Sequence, residues 1–225
     1  MECLYSCSDS VSNSINDSRI DKNIVNCRDI FCKQQNIPKD SKLLLSVGRI
    51  CQNKRQDFLI KSLSKILDEN NIFLIFLGDI DPSEKGVELW IRIKEIENKF
   101  HIKSNIRYLG YRKDVMDIMS FCDVLVHSSI TEAFGLVLVE AMFVGLPIVA
   151  INTEAMTEIV DQPDNILVDY NDSDAFRDAV IKILNRTPKE RKLVCSRNKS
   201  RGSSSKYNQQ ERTKIMTEYF QSLIT

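Results

Sequence analysis

Apolar residues gather into short unbroken runs from about residue 42 onward, at Leu43–Val47, Ile72–Leu77, Ile106–Leu109, Val124–His127, Ile148–Ile151 and Ile166–Val168. A strand covered on both faces has no solvent side to make polar, so these runs predict strands of a buried parallel sheet. Between the runs, apolar positions recur at intervals of three and four. Leu59, Leu63, Ile66 and Leu67 share one helical face; Val115, Ile118, Met119 and Cys122 share another; Phe176, Val180, Ile183 and Leu184 share a third. Asn171-Asp-Ser-Asp supplies capping side chains ahead of the third. The stretch Val87–Phe100 fits no single period, but its length and its Lys/Glu content predict helix. Strand alternating with helix predicts an α/β fold, a doubly wound, Rossmann-like parallel sheet, and such sheets bind ligands beyond the carboxyl ends of their strands.

The polar segments divide the chain around that core. Residues 1–24, rich in Ser, Asn and Asp, read as a linker or the remnant of a preceding domain, and 25–204 read as the α/β domain. Beyond Arg186 the chain turns strongly charged and Ser-rich. Lys189–Arg201 reads there as a solvated basic face, and the terminal segment 205–225 holds a candidate helix at Gln209–Leu223. The most apolar window, Gly135–Ile151, contains Glu140 and Pro147 and falls short of the roughly 20 apolar residues of a membrane span, which predicts a core segment. The opening MECLYSCSDS lacks the basic and apolar regions of a secretory signal.

Composition narrows the chemistry. Apolar residues make up 43% of 225, enough for a sizeable core, and 31 basic residues balance 31 acidic ones. A net charge of zero argues against a nucleic-acid-coating or membrane-coating role, with any membrane contact indirect. Seven cysteines, an odd number without a C-x-x-C pair and with only two histidines, argue against a zinc site or disulfide framework and fit reduced thiols in a cytoplasm.

Three loops at predicted strand ends carry candidate chemistry. In Ser46-Val-Gly-Arg-Ile-Cys-Gln-Asn-Lys-Arg, Gly48 permits close backbone approach, while Arg49 and Lys54 bring a forked and a point cation to the start of the next helix. That pattern suits a diphosphate, or else a solvated basic loop, and it lacks the Walker spacing. In Ser128-Ser-Ile-Thr-Glu-Ala-Phe-Gly-Leu-Val-Leu-Val-Glu, Gly135 opens an apolar helix whose first N–H groups can receive a phosphate or sugar hydroxyl. Glu132 and Glu140 flank that opening. Were the interval helical, it would rise about 12 Å, on the order of the span from ribose to hexose in a nucleotide sugar. Alternatively Glu132 caps the helix and Glu140, set among apolar neighbours, pairs with a nearby cation. In Asn105-Ile-Arg-Tyr-Leu-Gly-Tyr-Arg, the backbone at Gly110 can read a nucleobase edge with Tyr111 or Arg112 on its face, or can simply turn. Asp79-Ile-Asp81 superficially matches a metal-binding D-x-D and is read as a chance pair. His101 and His127 are read as structural, and Trp90 as packing.

Taken in order, these loops resemble the carboxyl-terminal domain of glycosyltransferase family 4, retaining enzymes of the GT-B fold, over residues 24–185. The resemblance rests on Gly48-Arg49…Lys54, on the Gly110 strand end, and on Glu132…Glu140 as the family's E-x7-E motif. It implies that Arg49 and Lys54 hold the donor diphosphate and that Glu132 contacts the transferred sugar. It also places Glu140 on the ribose, and the backbone at Phe134, Gly135 and Leu136 along sugar and phosphate. The implied donor is a nucleoside-diphosphate sugar, with no cofactor or metal, in polysaccharide or glycolipid synthesis. The resemblance further implies that the chain is one GT-B half-domain whose partner is an acceptor domain or subunit, at most peripheral to the inner membrane face. Two places depart from the family pattern. Thr153-Glu-Ala-Met-Thr stands where a Gly-rich turn is usual, and Cys27 replaces the Gly of an Asn-Gly-x-Asp sequence at Asn26–Asp29. A non-catalytic scaffold derived from such an enzyme is the main alternative, and a flavodoxin-like regulatory domain a more remote one.

Overall fold

The computed structural model describes residues 17–69, 71–132, 135–160 and 164–204. Eight helices and six strands alternate along them: α1 (Asp17–Gln34), β1 (Lys42–Val47), α2 (Gln56–Glu69), β2 (Ile72–Leu77), α3 (Glu84–Lys99), β3 (Ile106–Tyr108), α4 (Val115–Phe121), β4 (Val124–His127), α5 (Leu136–Val144), β5 (Ile148–Ile151), α6 (Glu154–Ile159), β6 (Ile166–Val168), α7 (Ser173–Leu184) and α8 (Pro188–Gly202). The strands form one parallel sheet in the order β3-β2-β1-β4-β5-β6. β1 runs beside β2 from Lys42↔Ile72 to Val47↔Leu77 and beside β4 at Leu44↔Val124 and Leu45↔Leu125. The order of connection reverses between β1 and β4, and at such a point the loops above the two strands diverge to opposite faces and leave a crevice.

Alternate residues of each strand feed two cores. Leu44, Leu74, Phe76, Val126 and Val149 pack with α2, α3 and α7 on one face. Leu43, Leu45, Ile75, Leu125 and Ala150 pack with α1, α4, α5 and α6 on the other. This two-sided cover explains the unbroken apolar runs, since each buried Leu or Ile contributes about 2 kcal/mol whichever face it takes. Asp172 caps α7, its side chain accepting from the Ala175 N–H. Trp90 packs edge-on against Tyr108 at 4.7 Å.

The structure departs from the sequence reading in two stretches. Helix α1 begins at Asp17, inside the segment read as linker, and Ile20, Ile24, Cys27 and Phe31 repeat at helical spacing along its sequence. Lys189–Arg201 is not simply a solvated face but most of α8, which opens with a reciprocal capping box between Thr187 and Glu190. That helix buries Val194, Asn198 and Gly202. A Cβ on Gly202 would come within 2.4 Å of the Phe143 backbone nitrogen, so α8 lies directly against α5. The expected helix at Gln209–Leu223 lies outside the described residues. No described helix is long and apolar enough to cross a membrane.

Candidate functional site

The site is assembled where β1 and β4 end. After β1 the chain passes Gly48 and a 3-10 turn at Gln52–Lys54, then bends into α2 through Arg55 in the left-handed region, φ 50 and ψ 43. The loop beyond β6 holds that bend: the Arg55 guanidinium donates to the Tyr170 hydroxyl and stands 5.2 Å over the Tyr170 ring. The loop beyond β4 is tied to the same turn. The Ser128 hydroxyl donates to the Lys54 carbonyl at 2.6 Å, and the Ile130 N–H donates to the Asn53 carbonyl at 3.0 Å. Two hydrogen bonds thus fix the Lys54 turn and the loop of Glu132 relative to each other before their side chains meet.

The meeting is direct. The Lys54 side chain runs along Gly48, 3.5 Å from where a Cβ would stand, and its ammonium pairs with Glu132 Oε1. The same oxygen lies 3.0 Å from Nε2 of His127, the last residue of β4. That approach falls outside hydrogen-bond geometry, and Nε2 has no other partner. Burial works against a charge on Glu132, but His127 and Lys54 outweigh it and hold the carboxyl down to a pKa of about 2. His127 is driven the other way, its pKa lowered chiefly by desolvation, so it stays neutral. Glu132 is therefore neither a helix cap nor a solvated carboxylate.

The neighbouring strand ends converge on Gly48 from the far side. The Gly78 N–H donates to the Gly110 carbonyl at 2.7 Å, and the Gly48 N–H donates to the Leu77 carbonyl at 2.8 Å. Gly78 has a φ of 137°, and a Cβ there would stand 2.2 Å from the Gly48 carbonyl oxygen, so only glycine fits. Asp79 accepts from the Tyr111 N–H at 2.9 Å, and Asp81 accepts from the Ser83 N–H at 3.1 Å. The two carboxylates of the D-x-D sequence thus serve separate backbone amides. The Tyr111 side chain is 70% exposed. No group of three or more His, Cys, Asp or Glu suited to a metal occurs among the described residues.

Other expected residues are less drawn in. Arg49 is exposed, with its carbonyl held by Gln56 Nε2 at 3.0 Å and its charge adding to the chiefly Ser83-derived stabilisation of the Asp81 carboxylate. Gly135 is the N-cap of α5 with φ 65°, and Leu136 is exposed. Phe134 lies outside the described residues. Glu140 stands on the exposed flank of α5, its pKa raised by desolvation, and not in an apolar interior. Its apolar sequence neighbours occupy other faces of the helix. Because α5 begins only at Leu136, just four of the residues separating Glu140 from Glu132 are helical, a rise of about 6 Å. Among the described residues no ion pair joins Arg49 or Glu140 to this cluster. The sequence reading set His127 aside. Its position at the carboxyl end of a strand, five residues before Glu132, was the available signal.

The turn at Thr153–Thr157 folds as the start of α6, whose first residue is Glu154. The Thr153 hydroxyl, which would cap it, is buried without a partner. A cavity of about 180 Å³ lies away from all of this, at the amino-terminal edge between α4, α5, α7 and α8.

Comparison with known proteins gives one consistent answer. Residues 28–200 match the family described as glycosyl transferases group 1. The chain is 26% identical over 188 residues to N-acetyl-alpha-D-glucosaminyl L-malate synthase of Bacillus anthracis, covering 83% of this chain and 46% of that protein. Among solved structures, Anabaena HepE in complex with UDP and glucose superposes with a TM-score of 0.74 at 21% identity, over 85% of this chain and 52% of that one. The C-terminal domain of LpcC, a glycosyl transferase group 1 family protein of Francisella tularensis, superposes with a TM-score of 0.65 at 20% identity, over 77% of this chain and 90% of that one. The chain spans about half the length of the first two.

Proposed function

This chain belongs to the glycosyl transferases group 1 family, glycosyltransferase family 4, with the fold of one GT-B half, and from that premise we propose that it binds the nucleoside-diphosphate sugar of a retaining hexosyltransferase. The observation that carries the reading is the convergence of Gly48, Lys54, Glu132 and His127 in the crevice where strand order reverses. Lys54 exchanges its carboxylate for the donor diphosphate, and Arg49, exposed on the same loop, closes on the phosphates from outside. Together they offset the charge that develops on the departing nucleoside diphosphate. Glu132 then accepts hydroxyls of the transferred sugar. The N-terminal amides of α5, at Gly135 and Leu136, line the phosphate and sugar. Glu140 takes the ribose, and the Gly110–Tyr111 backbone takes the base. The acceptor sits on a further domain or subunit, and the product belongs to polysaccharide or glycolipid synthesis.

A non-catalytic nucleotide-binding role has one observation in its favour. Glu154 puts a carboxylate in the first turn of α6, where the family's Gly-rich turn would offer amides to the diphosphate. Calorimetric titration with UDP, GDP and their sugars tests the donor site. Binding should weaken at least about 100-fold, near 3 kcal/mol, in Arg49→Ala/Lys54→Ala. Wild-type-like binding by that variant would discredit the site, and sugar transfer after an acceptor domain is supplied would exclude the scaffold reading.

A further inference from the structure

His127 is 3% exposed, and its Nε2 points at an oxygen it does not bond. Glu132 Oε1 is 3.0 Å away, but Lys54 has taken the same oxygen as a charge-assisted pair. One carboxylate oxygen thus faces two donors, and as the carboxylate is turned only the lysine meets it in bonding geometry. A buried nitrogen left without a bond is costly, and drawing Lys54 elsewhere frees the oxygen to turn toward it. The ring stays neutral, as its lowered pKa requires, so the Nε2–H tautomer supplies the bond without any change of net charge. The backbone ties from Ser128 and Ile130 to the Lys54 turn keep the two competitors in place on either side of the carboxylate.

Resting on the donor-site reading above, we propose that His127 is a positioning residue: it becomes the hydrogen-bond donor to Glu132 when a diphosphate engages Lys54, and so keeps that carboxylate aimed at the donor sugar. The exchange makes and breaks no covalent bond. Lys54 moves from one anion to another, and the histidine closes a contact already at bonding distance.

The chain has two histidines, so its side-chain nitrogen NMR spectrum is simple, with His101 as the internal control. In Lys54→Met without ligand, the His127 Nε2–H should exchange with water about tenfold more slowly than in the wild type, the worth of one ordinary hydrogen bond. His101 should stay unmoved, which also reports an intact fold. Adding Glu132→Ala to Lys54→Met should abolish the protection, and saturating the wild-type chain with UDP should reproduce it. An unchanged His127 signal in folded Lys54→Met, or in wild-type chain shown by calorimetry to be UDP-bound, overturns the handover. Absence of any UDP binding alongside a protected His127 in Lys54→Met would overturn the donor-site reading and still support competition for Glu132.

Discussion

At the amino-terminal edge of the sheet, Asp123 accepts from the Leu43 N–H at 2.9 Å and from Arg28 at 3.1 Å, while Arg28 also donates to the Ser41 carbonyl at 2.6 Å. Asp164 receives Arg197 at 3.1 Å and Arg201 at 3.0 Å. Asn165 and Asn198 hydrogen-bond each other and pin Ile148 and Leu146. At the carboxyl-terminal edge, Glu132 is held by Lys54 with the His127 nitrogen 3.0 Å away, that nitrogen and the Thr153 hydroxyl make no hydrogen bond, and Arg49 is exposed. Both edges hold withdrawn charge, but the buried carboxylates of the amino-terminal edge, Asp123 and Asp164, each meet two donors in bonding geometry, whereas Glu132 meets one. Saturation locks an element and leaves nothing to offer a ligand, whereas unmet donors held on a fixed backbone are what a ligand can complete. The difference separates scaffold from site more sharply than cavity volume does, since the 180 Å³ cavity lies at the saturated edge.

The largest expected effect tests whether the unsaturated edge is as rigid in backbone as the saturated one is in side chains. Gly78→Ala drives a methyl into the Gly48 carbonyl at a φ of 137°. It should cost about 4 kcal/mol and lower the melting temperature more than any side-chain change in the site. A melting curve close to wild type would mean that the loop beyond β1 gives way easily, and that the site is not preorganised.

Next comes the saturated edge itself. Asp123→Ala removes the carboxylate paired with Arg28, leaving that charge on backbone carbonyls, and frees the Leu43 N–H, for about 3 kcal/mol in chemical denaturation. Nucleotide affinity, measured on the folded fraction, should be unchanged. A loss of affinity matching the loss of stability would show the two edges to be coupled.

How much of this contrast could be read beforehand depends on what each element buries. The six strands stood out because burial on both faces leaves continuous apolar runs, and the start of α7 stood out within Asn171–Asp174 because a cap needs a short polar side chain, a place the structure gives to Asp172. Helix α8 did not, because its buried stripe is Val194, Asn198 and Gly202, where hydrogen bonding and close approach replace the apolar period. Within the site, Gly48, Lys54 and Glu132 were legible from residue type at strand ends. His127 was passed over because a lone histidine carries no pattern until its neighbour in space is known. Only the apolar surroundings expected of Glu140 differ, because residues adjacent in a helical sequence occupy different faces. Lys54 and Glu132 were singled out on separate grounds; their pairing, and the competition for the carboxylate, were not foreseen.

A smaller effect sharpens the comparison through pH. The folded pKa of Glu132, about 2, lies below its ordinary value of 4.5. Its pairing therefore stabilises fully above that ordinary value and is lost as pH falls from there toward 2. Glu132→Gln should accordingly be less stable than wild type at neutral pH by about 2 kcal/mol after allowance for solvent screening, with the gap closing through that acid range. Melting curves taken stepwise into acid would show it. A gap that persists unchanged at the acid end would mean the carboxylate is held by shape and not by charge.

The smallest expected effect concerns Glu140, where edge and stability part company altogether. Its flank of α5 is exposed and desolvation raises its pKa, so the fold gains nothing from the charge. Glu140→Gln keeps the shape and should change stability by less than about 0.5 kcal/mol, in the stabilising direction if at all. A ribose contact predicts a specific loss nonetheless: UDP should bind about fivefold more weakly, the worth of one hydrogen bond, while inorganic pyrophosphate, which has no ribose, should bind as before. Equal losses for both ligands would place Glu140 in the field of the phosphates and not on the sugar, and no loss for either would remove it from the site, leaving Lys54, Glu132 and His127 to define the unsaturated edge alone.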